Sequence, residues 1–274
     1  MVEPFVRAAL LEDLGRGGDL TTGAIVPPDV RFRSALVARQ PGVVAGLDPA
    51  LLAFHLIDPA IQSTVERGDG ATVQARDVIA TIEGPARGIL TAERVALNFL
   101  CHLSGIASAT AAIVEAVHGH RARVVCTRKT LPCLRTLQKH AVRVGGGANH
   151  RFGLDDGVLI KDNHIAVAGN IKDAVARVRA AVGHLVKIEV EVDTLDQLDE
   201  ALAAGVDAVL LDNMDPDRLR RAIMRVDGRV PTEASGGITA VTAPAIAASG
   251  VDLMSIGWLT HSAPSLDIGL DTVS

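Results

Sequence analysis

Beyond about residue 120 the chain alternates short apolar runs with segments whose apolar positions recur at helical spacing. The apolar runs cover 123–127, 157–160, 186–192, 208–211, 230–234 and 253–256, and are short enough for buried strands. Helical patterns fall between them, over 170–182, 195–204, 216–226 and 240–249. In the first, Ile171, Ala174, Val175, Val178 and Val182 share one stripe. The second opens on Thr194 with Gln197 three residues on, a capping-box pattern, and stops at Gly205. The third opens Asp215-Pro216, a cap followed by proline at the first helical position, and the fourth stops at Gly250. Strand and helix in regular alternation predict βαβ units around a parallel sheet.

Polar residues collect where the apolar runs end: Arg128-Lys129, Lys161-Asp162-Asn163, Glu191, Asp212-Asn213, Ser235-Gly236-Gly237 and Thr260-His261. In a (β/α) barrel the C-terminal strand ends converge on one mouth, where active sites lie. An open doubly wound sheet would spread them along a line. The expected class is therefore α/β, with an incomplete (β/α) barrel. The first hundred residues read differently. Alternation at 32–39 and 42–45, with turn signals at Pro27-Pro28 and Gly68-Asp69-Gly70, predicts a smaller strand-rich domain, and 91–103 reads as a helix.

Composition sharpens this picture. Of 274 residues 48% are hydrophobic, yet only 2% are aromatic, so the core must be built from Ala, Val, Leu and Ile. No run of some eighteen apolar residues stands out, and Glu3, Arg7, Glu12 and Asp13 charge the start. A membrane span or signal peptide is not expected, and the expected address is cytoplasmic. Cys101, Cys126 and Cys133 form no CxxC pair and are expected as free thiols. The net charge of −5 is uneven: 121–172 holds ten Lys/Arg against three acids, a local +7 that leaves −12 elsewhere. A basic block in an acidic protein attracts a small anion while the rest of the surface repels nucleic acid.

Arg128 beside Lys129 offers a planar fork and a point charge, suited to carboxylate or phosphate. The run Gly145-Gly146-Gly147 before Asn149-His150-Arg151 allows a close backbone approach beside basic side chains. Lys161 follows Val158-Leu159-Ile160 and is read as a substrate or Schiff-base lysine, against a snorkelling surface lysine. Glu191 and Asp212 end successive strands; they suit Mg²⁺ or sugar hydroxyls, a salt bridge to lysine being the plainer alternative. Ser235, Gly236 and Gly237, with Gly257 to His261, have the character of a barrel phosphate site. His118 and His120 lack an acid or cysteine nearby, and Asp162 with His164 lacks a nucleophile elbow, so neither supports a metal site or a hydrolase triad.

Taken in order, these residues resemble the quinolinate phosphoribosyltransferase family. The resemblance rests on Thr127-Arg128-Lys129-Thr130 with Pro132 and Leu134-Arg135, on Gly145 through Arg151, and on Leu159-Ile160-Lys161-Asp162-Asn163-His164. It continues through Glu189-Val190-Glu191-Val192, Leu211-Asp212-Asn213-Met214, Glu233-Ala234-Ser235-Gly236-Gly237 and Leu259-Thr260-His261-Ser262. Upstream, Glu12-Asp13 and Gly18-Asp19-Leu20-Thr21-Thr22 also match. Departures fall at Cys126, Leu131, Cys133, where glycine is usual, and Trp258.

The resemblance implies an α/β-sandwich N-terminal domain over 1–103, with the tail 264–274 packing on it, and an incomplete barrel of roughly seven strands over 104–263. It implies homodimers with shared active sites and a reaction joining quinolinate to phosphoribosyl pyrophosphate, with Mg²⁺. The products are nicotinate mononucleotide, CO₂ and pyrophosphate, in NAD biosynthesis. Arg128, His150, Arg151 and Lys161, beside Thr127, would grip the two carboxylates, and Arg94 would come from the neighbouring subunit. Lys129 would meet the pyrophosphate. Glu191 and Asp212 would hold the ribose hydroxyls and the metal, and Ser235, Gly236, Gly237, Gly257 and His261 the 5′-phosphate. Lys129, Lys161, Glu191 and Asp212 would carry the chemistry, with ribosylation before decarboxylation and no obligatory proton transfer by the protein. The alternatives are a related phosphoribosyltransferase-like protein for another pyridine acid or linked to molybdate transport, a Schiff-base aldolase using Lys161, and a non-catalytic binding protein.

Overall fold

The computed structural model describes residues 2–273. The first elements are α1 (Glu3–Leu14), α2 (Leu20–Ile25), β1 (Arg31–Ala38), β2 (Gly42–Val43), α3 (Leu47–Ile57), β3 (Gln62–Val65), β4 (Thr72–Val73), β5 (Val78–Pro85) and α4 (Ala86–Ala116). There follow β6 (Arg123–Val125), α5 (Arg135–Val144), β7 (Val158–Ile160), α6 (Asp162–Ala168), α7 (Ile171–Ala181) and β8 (Ile188–Val192). The remainder are α8 (Leu195–Ala203), β9 (Ala208–Asp212), α9 (Pro216–Val226), β10 (Thr232–Ser235), α10 (Ala243–Ala247), β11 (Leu253–Ser255), α11 (Trp258–His261) and β12 (Ile268–Thr272). Two compact units result. One holds residues up to 111 with 131–146 and the stretch from 262; the other holds 112–130 and 147–261. Compared with the expected division into 1–103 and 104–263, the segment 131–146 has moved to the first unit.

That unit is built on an antiparallel sheet in the order β12-β1-β5-β3. Here β12 pairs with β1 from Ser34↔Thr272 to Ala38↔Ile268. Leu36, Phe54, Ile79, Ile82, Ile89 and Leu100 lie in its core. Helix α4 is long and apolar enough, by length and mean composition, to cross a membrane, although polar residues interrupt its apolar run. Half of its apolar window is buried within the fold, with Ile89, Val95, Leu100, Leu103 and Ile106 among the buried side chains. The end of α5 packs on it closely. A Cβ on Gly145 would collide with the Ala107 carbonyl and stand 2.8 Å from Thr110 Cβ, so the first of the three glycines serves packing. The segment before α5 carries one strained residue: Cys133 has φ 62, the left-handed region glycine adopts freely.

The second unit is the barrel. Six parallel strands run in the order β6-β11-β10-β9-β8-β7, so the chain neighbours β6 and β7 stand at the two ends. Ala148 extends the β6 edge through a bridge to Val125, its N–H donating to Val124 O (2.8 Å) while its carbonyl accepts from Cys126 N–H (3.1 Å). The barrel is thus incomplete, with six strands and a bridge in place of roughly seven strands. The helix starts are those read from sequence. Asn170 caps α7, Thr194 and Gln197 complete a capping box on α8, and Asp215 accepts from Arg218 N–H before Pro216 starts α9. The pattern at 240–249 yields only Ala243–Ala247, because Thr239 and Thr242 bond each other in the preceding turn. The short helices α6 and α11 carry too little periodicity to be read from sequence, and α5, which buries Leu137, Ala141 and Val142 at helical spacing, has no side-chain cap to mark its start.

Candidate active site

Strand alternation decides which side chains enter the barrel. In β8, Ile188, Val190 and Val192 are fully buried on one face, which turns Glu189 and Glu191 to the other. The register sets Glu191 beside Leu210 and Leu210 beside Glu233, with Ser235 beside Asp212 one step higher. These residues line a cavity of about 400 Å³ together with Thr127, Arg128 and Lys129 after β6, His150 and Arg151, and Lys161 after β7. Leu159 and Ser255 complete its wall.

The basic side is arranged for an anion. The Arg151 guanidinium donates to Gly157 O at 2.9 Å. Its pKa is pushed down by burial first and then by the nearby Arg128 guanidinium, with Asp156 and Glu189 acting against them. Arg128 Nε is buried without a hydrogen-bond partner among the described residues. Two guanidiniums held this near one another favour a ligand that brings negative charge to both. Lys161 Nζ meets the Glu191 carboxylate, and Asn213 Nδ2 donates to Asp212 Oδ2 at 2.6 Å. Thr260 Oγ1 donates to Lys129 O at 2.7 Å and Thr127 Oγ1 accepts from Lys129 N–H at 2.9 Å, which fixes the backbone that carries Lys129.

The floor is acidic. His150 Nδ1 accepts the Arg151 backbone N–H at 2.8 Å, so Nε2 carries the ring proton and donates it to Glu189 Oε2 at 2.9 Å. Glu233 stands 3.5 Å from the same Nε2, and neither of its oxygens has a hydrogen-bond partner among the described residues. Burial, then the Glu189 charge, pushes the Glu233 carboxyl up to about 7, against His150, Ser255 and Lys161. This has a consequence for stability. A carboxyl whose folded pKa lies above its unfolded value contributes stability below the unfolded pKa and loses it as pH rises through the folded one. Melting temperature should therefore fall between about pH 4.5 and pH 7 and level off above that, and Glu233→Gln should flatten that fall, full ionisation costing about 3 kcal/mol. An equal fall in both proteins, read by calorimetry, would count against the raised value.

Nine residues expected from the sequence meet in this cavity: Thr127, Arg128, Lys129, His150, Arg151, Lys161, Glu191, Asp212 and Ser235. Gly236, Gly237, Gly257 and His261 do not line it. The first two form the turn after β10 with φ 106 and 57, and the backbone at Gly257 lies against the Lys129 side chain. Arg94 is exposed on α4, in the first unit, and does not line it either. The basic residues Arg135, Lys139 and Arg143 belong to α5 and hence to the first unit as well. The expected metal pair is differently engaged, Glu191 by Lys161 and Asp212 by Asn213. The ligand-type atoms that come within 4.8 Å of one another are those of His150, Glu189 and Glu233. Leu159, Leu210 and Ser255 also line the cavity unforeseen; among the acids, Glu189 and Glu233 were missed. Their signal was available in the period-two parity they share with Glu191 and Ser235.

Comparison with known proteins shows the family. Family models described as the N-terminal and C-terminal domains of quinolinate phosphoribosyl transferase match residues 19–104 and 106–271. The carboxylating nicotinate-nucleotide pyrophosphorylase of Mycobacterium leprae is 50% identical over 273 residues, covering 97% of this chain and 95% of its own. A probable enzyme of the same name from Bacillus subtilis is 46% identical over 261 residues, covering 95% and 90%. The crystal structure of NadC from Streptococcus pyogenes superposes with a TM-score of 0.94 at 43% identity, covering 100% of this chain and 97% of that one. The nicotinate-nucleotide pyrophosphorylase of Francisella tularensis gives a TM-score of 0.95 at 38% identity over 99% and 96%.

Proposed function

We propose the following division of labour for a chain that belongs to the quinolinate phosphoribosyltransferase family. The reaction joins quinolinate to phosphoribosyl pyrophosphate and yields nicotinate mononucleotide, CO₂ and pyrophosphate, a step of de novo NAD synthesis. The observation that carries the assignment is the pair Arg128 and Arg151 in one cavity, near enough that the Arg128 guanidinium disfavours the charge on Arg151, with Lys161 beside them. A pyridine with adjacent carboxylates brings two negative charges to this pair. Both ring nitrogens of His150 are engaged within the protein, so its first task is to hold the Arg151 backbone. A direct contact with substrate would cost it one of those bonds.

The sugar lies along the rim. Displacement at its anomeric carbon passes through a cationic, oxocarbenium-like state, which the carboxylates of Glu191 and Asp212 stabilise in a site sheltered from water. Lys129 meets the departing pyrophosphate. The Ser235 hydroxyl and the backbone N–H groups of the glycine turn take the 5′-phosphate. The oxygen donors of Glu191 and Asp212 also suit Mg²⁺, which keeps several ligands from water and substrate phosphates. They would hold it, and when bound it neutralises charge on the pyrophosphate.

The test is direct. Incubation with quinolinate, phosphoribosyl pyrophosphate and Mg²⁺ should yield nicotinate mononucleotide, while nicotinate offered in place of quinolinate should yield none. Equal use of both acids would defeat the reading. We further propose a homodimer in which Arg94 of each subunit completes its neighbour's site. Mixing inactive Arg94→Ala and Arg151→Ala proteins should then restore about a quarter of wild-type activity through hybrid dimers. No recovery would count against shared sites.

A further inference from the structure

The reaction exchanges a carboxylate at C2 for hydrogen, and that exchange consumes a proton. The C2–carboxylate bond breaks, CO₂ leaves, and the electron pair stays on C2 beside the ribosylated, cationic ring nitrogen until a proton arrives. The resemblance implies no obligatory proton transfer by the protein, yet a proton must reach C2 from some source. The pair lies in the ring plane and points to where the carboxylate was bound. A donor must therefore stand at the carboxylate end of the cavity, with Arg128 and Arg151.

Few groups there can serve. A guanidinium does not give up its proton in a protein. Lys161 is engaged with Glu191. The one ring proton of His150 is committed to Glu189, and its other nitrogen to the Arg151 N–H. Glu233 remains. It lines the cavity wall, is 2% exposed, and has neither oxygen hydrogen-bonded. Glu189 and Glu233 flank a single N–H donor, and two carboxylates so placed out of water cannot both ionise cheaply. The donor is 2.9 Å from Glu189 and 3.5 Å from Glu233, so Glu233 is the one left to hold a proton.

We propose that Glu233 is the catalytic acid that delivers its carboxyl proton to C2 as CO₂ departs, a role that rests on the reaction assigned above. The carboxylate left behind takes its next proton from solvent water once product leaves. The groups that face Glu233 are Glu189 from β8, Ser255 from β11, His150 and Lys161. Of these Glu189 favours the neutral form, and burial favours it further, which brings the group near the working pH of a general acid.

The experiment separates the two chemical steps. Single turnovers with quinolinate labelled in its 2-carboxylate are followed for pyrophosphate and for CO₂. In the wild type the two appear in equal amounts, and the CO₂ step slows as pH rises past about 7. Glu233→Gln should release pyrophosphate within about threefold of the wild-type rate while CO₂ and nicotinate mononucleotide slow about a hundredfold. Quinolinate mononucleotide should accumulate, and the alkaline limb should vanish. Equal slowing of both steps, or of neither, overturns the proposal. If Glu233→Gln does not fold, the wild-type profile decides alone: a CO₂ step that is flat between about pH 6 and pH 9 overturns it. Wild-type protein that makes no nicotinate mononucleotide removes the underlying reaction, and the proposal with it. A competent wild type with an unaffected Glu233→Gln variant removes only the proposal.

Discussion

Arg151→Ala is expected to raise KM for quinolinate by about a hundredfold or more while leaving the affinity for phosphoribosyl pyrophosphate within about twofold. Arg151, like Arg128, is partly buried, and its guanidinium is held by its donation to Gly157 O. Removing one partner of a desolvated charged contact costs about 2–5 kcal/mol, because the other charge is left without its mate. Arg151→Lys should recover little, since a point charge does not reproduce a two-pronged planar donor. Steady-state KM values and calorimetric titration of phosphoribosyl pyrophosphate check both halves. An unchanged KM for quinolinate would contradict the role assigned.

Gly236→Ala should be nearly as damaging, through the sugar-phosphate side. Gly236 has φ 106, and a Cβ there would collide with Asn213 Oδ1 and stand 2.8 Å from its Cγ. Asn213 cannot yield freely. It is itself at φ 51, its N–H donates to Ser235 O at 2.9 Å, and its side chain holds Asp212. Positive-φ strain alone costs about 1–3 kcal/mol, and the displaced Asn213 would take Asp212 off position. A fall in kcat/KM for phosphoribosyl pyrophosphate of about a hundredfold is expected, with a melting temperature lower by several degrees. Quinolinate binding measured alone should change little, since the guanidinium pair lies in other loops, after β6 and before β7. A variant with wild-type kinetics would show that this turn does not position Asp212.

Much of this site was legible in the sequence because the barrel translates position along a strand into position around a mouth. Each apolar run ended in a polar group, and a parallel sheet brings such ends together whatever their separation in the chain. The capping residues Thr194, Gln197 and Asp215 were readable for a local reason, since a cap bonds backbone three residues away. The charge count was less instructive. It joined Arg135, Lys139 and Arg143 to Arg128 and Arg151 as one basic block, yet α5 carries the former into the first unit. A count over consecutive residues does not see a chain that leaves one unit and returns.

By itself the sequence determined the alternation of strands and helices, the caps, and the identities of Arg128, Arg151, Lys161, Glu191 and Asp212 at strand ends. All of these are encoded within a few residues of where they act. Only the tertiary structure decided the state of the floor. The proton on His150 Nε2, the unpartnered oxygens of Glu233 and the effect of the Arg128 guanidinium on Arg151 depend on groups from separate segments, brought together where water is largely excluded. In such a place a neighbour's charge and the loss of solvent set protonation more strongly than residue type does.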